Sequence, residues 1–281
     1  VTFGKVYLIG AGPGDPDLIT RKGFRLIQSA DVVVYDRLIP HELLEETRHD
    51  ALLIDGGKQP KKHRLSQDEI NNTIITHALA GKIVARLKGG DPLIFGRGSE
   101  EAIACYQYGI PFEIVPGISS SYSVPAYAGI PLTHRHVSSS FTVITGHEAP
   151  NKSASSINYQ ALAKLGGTLV ILMGVKQLNN ITRTLISHGL SPHTPAATIE
   201  WGTTQEQRTL IGTVGTIADL AVGHMIRPPA ITVIGEVVKL REQGTRWFDL
   251  LPAEIFEPQG LPSLPEHRLQ TSIFTQPDNF K

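Results

Sequence analysis

Short apolar runs alternate with amphipathic stretches through the first half of the chain, at the spacing of strands and helices taken in turn. "KVYLIG" (5–10), "DVVVYD" (31–36), "ALLID" (51–55), "KIVARLK" (82–88) and "FEIVPG" (112–117) read as buried strands. "DLITRKGFRLIQSA" (17–30), "SQDEINNTIITHALAG" (66–81) and "SEEAIACYQYG" (99–109) read as the helices between them. Ser66 and Glu69 make a capping box at the start of the second helix, and Gly81 and Gly109 stand where helix C-terminal glycines belong. The alternation predicts a mostly parallel sheet covered on both faces.

Around residues 134–158 the pattern changes. "THRHVSSSF" leads into a strand, "FTVITG" (141–146), and "HEAPNKSASSIN" is polar and rich in turn formers. This divides the chain into 1–134 and 135–248. The second part carries "GTLVILMG" (167–174), a helix near 176–188, "AATIEWG" (196–202), "QRTLIGTV" (207–214) and "AITVIGEVV" (230–238). Little helix separates its later strands, so a mixed sheet is expected there. Residues 249–281 hold prolines at 252, 258, 262, 265 and 277 without periodicity and read as an extended or disordered tail.

Composition narrows the partners. Lys plus Arg and Asp plus Glu each number 26 in 281 residues, so no global basic field gathers nucleic acid or an anionic membrane. No apolar run reaches the roughly 18 residues that span a bilayer. Cys105 is the only cysteine, which excludes an intramolecular disulfide and points to a reducing compartment. The expectation is a cytoplasmic protein, or an organellar one if a leader has been removed. His134, His136 and His147 lack metal-ligand spacing, so no metal is expected.

"VYLIGAGPGDPDL" (6–18) sets glycines at 10, 12 and 14 after a strand, and Asp36 ends the next strand. A dinucleotide, a nucleoside-based methyl donor or no ligand at all would account for such a turn. Charge argues against phosphate. Pro13 and Pro16 remove N–H donors, while Asp15 and Asp17 put carboxylates where phosphates would sit. Like charges about 4 Å apart cost on the order of 4 kcal/mol at an effective dielectric near 20. Either acid also serves as a helix cap. "RLKGGDPLIFGRG" (86–98) repeats the habit, with Gly89, Gly90, Asp91 and Pro92 directly after a strand. Close-approach backbone with carboxylates suits a cationic ligand without phosphate, and S-adenosylmethionine matches that chemistry better than a dinucleotide.

These two loops and a third, "VPGISSSYSVPAYAGIPLTHR" (115–135), with "ADVVVYDRLI", "LMG" (172–174) and "EWGTTQEQ" (200–207), resemble the tetrapyrrole methylases in order and spacing over residues 1 to about 248. Among them the chain is most similar to members that methylate uroporphyrinogen III. The resemblance implies a two-domain α/β fold of the class III methyltransferase kind, a cleft between the domains and a homodimer. It places S-adenosylmethionine against Pro13, Gly89, Gly90, Asp91, Ile94, Ser119, Ser120, Met173 and Gly202. It makes Asp36 the general base and Lys58 the proton donor. Ser99 and the Ser119–Ser121 run depart from the usual family residues.

The implied reaction is two successive methyl transfers to uroporphyrinogen III, giving precorrin-2 on the way to siroheme or cobalamin. A sister enzyme acting on a later precorrin, an NAD-dependent dehydrogenase and a non-catalytic tetrapyrrole binder are the alternatives. The substrate carries eight carboxylates, and "GGKQPKKHRLS" (56–66) is the one strong local basic feature. Lys61 and Arg64 there, with Arg37 beside Asp36 and Arg97 in the second glycine loop, are the candidate carboxylate clamps. On residue type alone, Lys61 reads equally as a solvated basic residue and Asp36 as an acid that orients its loop.

Overall fold

A computed structural model describes residues 4–57, 65–147 and 155–248. These lie in one compact unit, 1–248, that carries two five-stranded sheets.

The first sheet contains β1 (Lys5–Gly10), β2 (Val32–Tyr35), β3 (Leu52–Asp55), β4 (Ile83–Lys88) and β5 (Phe112–Val115) in the order β3-β2-β4-β1-β5. Every pair in it is parallel. Helices α1 (Arg21–Ile27), α2 (Glu42–Glu45), α3 (Gln67–Leu79) and α4 (Gly98–Gln107) join consecutive strands. Helices cover both faces of the sheet, so its inner strands are mostly apolar on both sides. Val6, Val32, Val34 and Val84 pack with Ile70 and Ile74 of α3 and Ala102 and Cys105 of α4. Ile9, Val33, Ala85 and Leu87 face Ile27 of α1 and Leu43 of α2 on the other side.

Ser66 accepts the N–H of Glu69 and Glu69 accepts the N–H of Ser66, which completes the expected capping box of α3. Gly81 and Gly109 close α3 and α4 with φ of +80° and +65°. The first helix differs from its expected span of 17–30. Residues 16–18 form a 3-10 turn capped by Asp15, and α1 starts only at Arg21, capped by Thr20. Extended backbone at Ile19 and Thr20 breaks the run.

The second sheet contains β6 (Phe141–Thr145), β7 (Thr168–Leu172), β8 (Pro195–Glu200), β9 (Arg208–Thr213) and β10 (Ala230–Ile234), ordered β6-β7-β10-β8-β9. Only β6 and β7 are parallel, so the sheet is mixed, as expected. α6 (Tyr159–Leu165), α7 (Leu178–Ser187) and α8 (Ile217–Gly223) cover one face. α5 (Ser120–Tyr127) and the 3-10 helix Glu236–Gln243 cover the other. Val124 of α5, with Ala128, Ile130 and Leu132 after it, packs on Val170, Leu172 and Ile199 of this second sheet. α5 therefore starts beside the first sheet's loops and ends on the second sheet's core.

Candidate active site

Strands β1 and β4 are neighbours, yet the helices that follow them lie on opposite faces, α1 on one and α4 on the other. Such a switch point opens a crevice at the carboxyl ends of the strands. Both glycine loops leave from there. The Ala11 N–H donates to Lys88 O at 2.7 Å, and the Gly90 N–H to Gly12 O at 2.6 Å, so the loops continue as a two-residue ladder. A Cβ on Gly10 would lie 2.5 Å from both Gly90 O and Gly117 Cα, so three backbones meet with no room for a side chain. Asp91 holds this arrangement: its Oδ2 accepts the Gly117 N–H at 3.0 Å and its Oδ1 the Leu93 N–H at 2.8 Å. Gly90 has φ +69°, and a Cβ there would meet nothing closer than Ser120 N at 3.8 Å. One side of this glycine is an open backbone face.

Loops of the second sheet join from across. A Cβ on Gly14 would touch Thr203 Oγ1 at 2.9 Å, and the Asp15 N–H donates to the same oxygen at 3.1 Å. Asp15 also accepts the Asp17 N–H at 2.9 Å and the Tyr127 hydroxyl at 2.7 Å. Its carboxylate thus caps a turn and ties the first glycine loop to the end of α5. Burial, then the bond to Asp15, pushes the Tyr127 phenol above its ordinary range. Gly202 lies flat against Val124 of α5, and Ser119 caps α5 by accepting the Ser121 N–H. Met173, Trp201 and Thr203 hold φ of +55°, +48° and +71°, conformations that cost non-glycine residues on the order of 1–3 kcal/mol each. Ile94 lies with Leu93 and Phe95 on an exposed apolar loop.

Pro13, Gly89, Gly90, Asp91, Ser119, Ser120 and Gly202 therefore lie on loops joined by direct contacts. Met173 follows Leu172, which packs with Val124 in the core beneath them. The open glycine face, the hydroxyls at the start of α5 and the carboxylates of the first turn fit a nucleoside ligand with a sulfonium and an ammonium group. The carboxylates of the first turn, Asp15 and Asp17, would repel a pyrophosphate.

Beside these loops stands Asp36, just past β2, its side chain 34% exposed. Its Oδ1 accepts a hydrogen bond from Nη2 of the buried Arg86, and its Oδ2 lies 4.0 Å from Lys88 Nζ. Arg86 Nε and Lys88 Nζ each lie 2.9 Å from Oε1 of the buried Glu101, which also accepts from Gln67 Nε2 at 3.2 Å. Burial lowers the affinity of Lys88 for its proton, and the Arg86 charge adds to the effect. Burial works against the Arg86 charge too, but Asp36 and Glu101 outweigh it and its pKa is raised.

The family resemblance singled out Asp36 but not this set, nor Tyr127 and Thr203. The signal was present: 84, 86 and 88 share one face of β4, and two cations on a face whose other member is the buried Val84 need buried anions. Arg37 is exposed, next to Asp36 in the chain and beside Gly57. Arg97, with φ +60° at the start of α4, is paired with Glu100 at 2.7 and 2.8 Å. Lys58, Lys61 and Arg64 lie outside the described residues.

Residues 5–218 match the family Tetrapyrrole (Corrin/Porphyrin) Methylases. The chain is 53% identical over 236 residues to a uroporphyrinogen-III C-methyltransferase from Priestia megaterium, covering 84% of this chain and 99% of that protein. It is 51% identical over 240 residues to an S-adenosyl-L-methionine-dependent uroporphyrinogen III methyltransferase from Methanosarcina barkeri, covering 85% and 94%. Among solved structures, the uroporphyrin-III C-methyltransferase of Thermus thermophilus complexed with S-adenyl homocysteine superposes with a TM-score of 0.72 at 37% identity, covering 84% of this chain and all of that one.

Proposed function

The chain belongs to the tetrapyrrole methylases, and from that membership we propose that it transfers two methyl groups from S-adenosylmethionine to uroporphyrinogen III, giving precorrin-2. The observation that carries the reading is the identity of about half, over nearly their full length, with proteins named for that reaction. The open backbone face at Gly90, next to an acid that faces outward, supports it. The dinucleotide reading of the glycine turn is set aside.

Pro13, Gly89, Gly90, Asp91, Ser119, Ser120 and Gly202 hold the methyl donor, with Ile94 and Met173 closing over it. When bound, the donor supplies an electrophilic methyl group on a sulfonium. The chain's own residues then have three tasks. The loops around Gly90 fix the acceptor carbon in line with the methyl group, which removes the entropy of a chance encounter. Asp36 accepts the proton that the tetrapyrrole releases for each methyl group gained, and Lys58 is the proton donor. Arg37, Lys61, Arg64 and Arg97 bind substrate carboxylates; for Arg97 this requires exchanging Glu100 for the substrate.

The same reading divides the chain at 134/135, with the donor held where the two parts meet, and makes the enzyme a cytoplasmic homodimer. Among the described residues no helix is long and apolar enough to cross a membrane. Light scattering of the purified protein tests the dimer. The reaction is tested by anaerobic incubation with uroporphyrinogen III and S-adenosylmethionine, followed by mass analysis. A gain of two methyl groups is expected. No gain, with the donor still bound in calorimetry, would move the substrate to a later precorrin.

A further inference from the structure

Asp36 is the outward end of a closed charge set whose inner members the proposed function leaves unused. Arg86, Lys88 and Glu101 are 2%, 2% and 1% exposed. We propose that Glu101 is a positioning residue for methyl transfer: through Arg86 and Lys88 it fixes the orientation of Asp36 and the readiness of Asp36 to take up a proton. The inference rests on the reading of Asp36 as the general base.

The geometry leaves Arg86 no freedom. Nε is held by Glu101 at 2.9 Å, Nη1 by the Val34 and Leu87 carbonyls at 3.3 Å each, and Nη2 by Asp36. The guanidinium is a rigid strut from Glu101 to Asp36. Lys88 is a second strut, 2.9 Å from Glu101 and 4.0 Å from Asp36. Among the described residues Glu101 Oε2 is buried with no hydrogen-bond partner. A buried carboxylate with one oxygen unpaired is a costly choice if hydrogen bonding were its only purpose. Its negative charge is what the two cations require.

With Asp36 ionised, the set holds two cations and two anions. Methyl transfer forms a carbon–carbon bond with ring π electrons while the methyl–sulfur bond breaks and leaves its pair on sulfur. The tetrapyrrole then carries the positive charge and loses it as a proton to Asp36, which later passes it to solvent. At that stage, among the described residues, Glu101 is the one buried anion still paired directly with Arg86 and Lys88. Without it, protonation of Asp36 would leave two buried cations unopposed, and Asp36 would be a poorer base.

Two further titratable groups face the set, Glu100 near Lys88 and Cys105 beneath Glu101, while Tyr35 and Asp55 interact with each other on the opposite face of the sheet and Arg37 is exposed. Arg97 and Asp68 lie farther out around α4. None of them changes in the variants below, so the sign of the effect is set by Lys88 and Glu101.

The test is the pH profile of kcat for methyl transfer in Glu101→Gln, Lys88→Met and the double variant, with donor affinity measured in parallel by calorimetry. Glu101→Gln leaves an excess cation: kcat is expected to fall tenfold or more, and the acidic limb to move down by about one pH unit or more. Lys88→Met leaves an excess anion, and the limb is expected to move up. The double variant restores the balance and brings the limb back toward that of the parent, a result a purely structural role would not give. Donor affinity stays within twofold throughout. Limbs that superpose on the parent, or both single variants shifting the same way, would overturn the inference. If Glu101→Gln does not fold, Lys88→Met and the double variant still decide by the opposite shift and its reversal. Asp36→Asn separates the two readings. If it keeps full turnover, the general-base role falls and takes the inference with it; if it is inactive while the limbs stay put, only the inference falls.

Discussion

At the residue scale, the consequences of burial and charge are sharpest at Asp36 and Cys105. Asp36→Asn keeps the shape of the side chain and removes the proposed base, so donor binding should persist while methyl transfer falls by about a hundredfold or more. Lys58→Ala should show the same split, read by calorimetry against single-turnover rates. Cys105 is fully buried between α4 and the first sheet, and burial followed by the nearby Glu101 charge pushes its thiol up to about 11. It should not react with an aromatic disulfide reagent at pH 8 until the protein is unfolded. The raised value also fixes the sign of a pH effect. The unfolded thiol releases its proton near 9 while the folded one holds it to about 11, so stability falls as pH rises through that window. Denaturant titrations of Cys105→Ala should show a shallower alkaline decline than the parent; equal slopes would show that the thiol is not held neutral. Asp36 stands out in the sequence as an acid ending an apolar strand, but only the family resemblance makes it a base. Glu101 was not, because one of two adjacent acids at a helix start reads as a solvated, dipole-compensating residue. Only the packing of α4 on β4 shows which of the pair turns inward.

At the element scale, the strands of the first sheet were legible to within two residues at their ends, because a sheet covered on both faces leaves uninterrupted apolar runs. The capping box of α3 was legible as well, and it carries a measurable share of stability. The Ser66 hydroxyl accepts the Glu69 N–H at 3.3 Å, and Glu69 Oε2 accepts the Ser66 N–H at 2.7 Å. Ser66→Ala should cost about 1 kcal/mol, read as a lower urea midpoint with an unchanged slope. A loss below about 0.3 kcal/mol would mean that water replaces the cap at this helix start. The elements not anticipated were short or irregular. α5 runs through "SSYSVPAY", which has poor helix formers and an internal proline and no apolar period. It forms because Ser119 caps it and because Val124, with Ala128 after it, is buried on the second sheet. α6, α8 and the 3-10 helix Glu236–Gln243 likewise owe their form to burial on one sheet face rather than to local propensity. The strand expected over 230–238 ends at Ile234 for the same reason: Gly235, at φ +147°, turns Val237 and Val238 back onto the sheet.

At the scale of the whole molecule, the site exists only where the two sheets' loops meet, and Asp15 is the joint. It is bonded to its own turn, to Thr203 beyond β8 and to Tyr127 at the end of α5. Its carboxylate, which in the sequence argued against phosphate, holds the turn and the end of α5, and its backbone N–H holds Thr203. A ligand seated against all three should therefore stabilise the fold as a unit. With donor at a hundred times its Kd, the unfolding free energy should rise by about 2.7 kcal/mol. Tyr127→Phe tests whether the joint carries that linkage. The variant keeps the ring and its packing against Trp247 and Phe248, and removes only the hydroxyl that donates to Asp15. Without donor it should lose about 1–2 kcal/mol, the cost of one half-buried charge-assisted hydrogen bond. If the loops are preorganised by Asp15, the variant should also bind donor more weakly in calorimetry, because binding must now order what the bond had ordered before. A stability loss with unchanged donor affinity would confine the bond to the fold and leave the arrangement of the site to the glycine contacts alone.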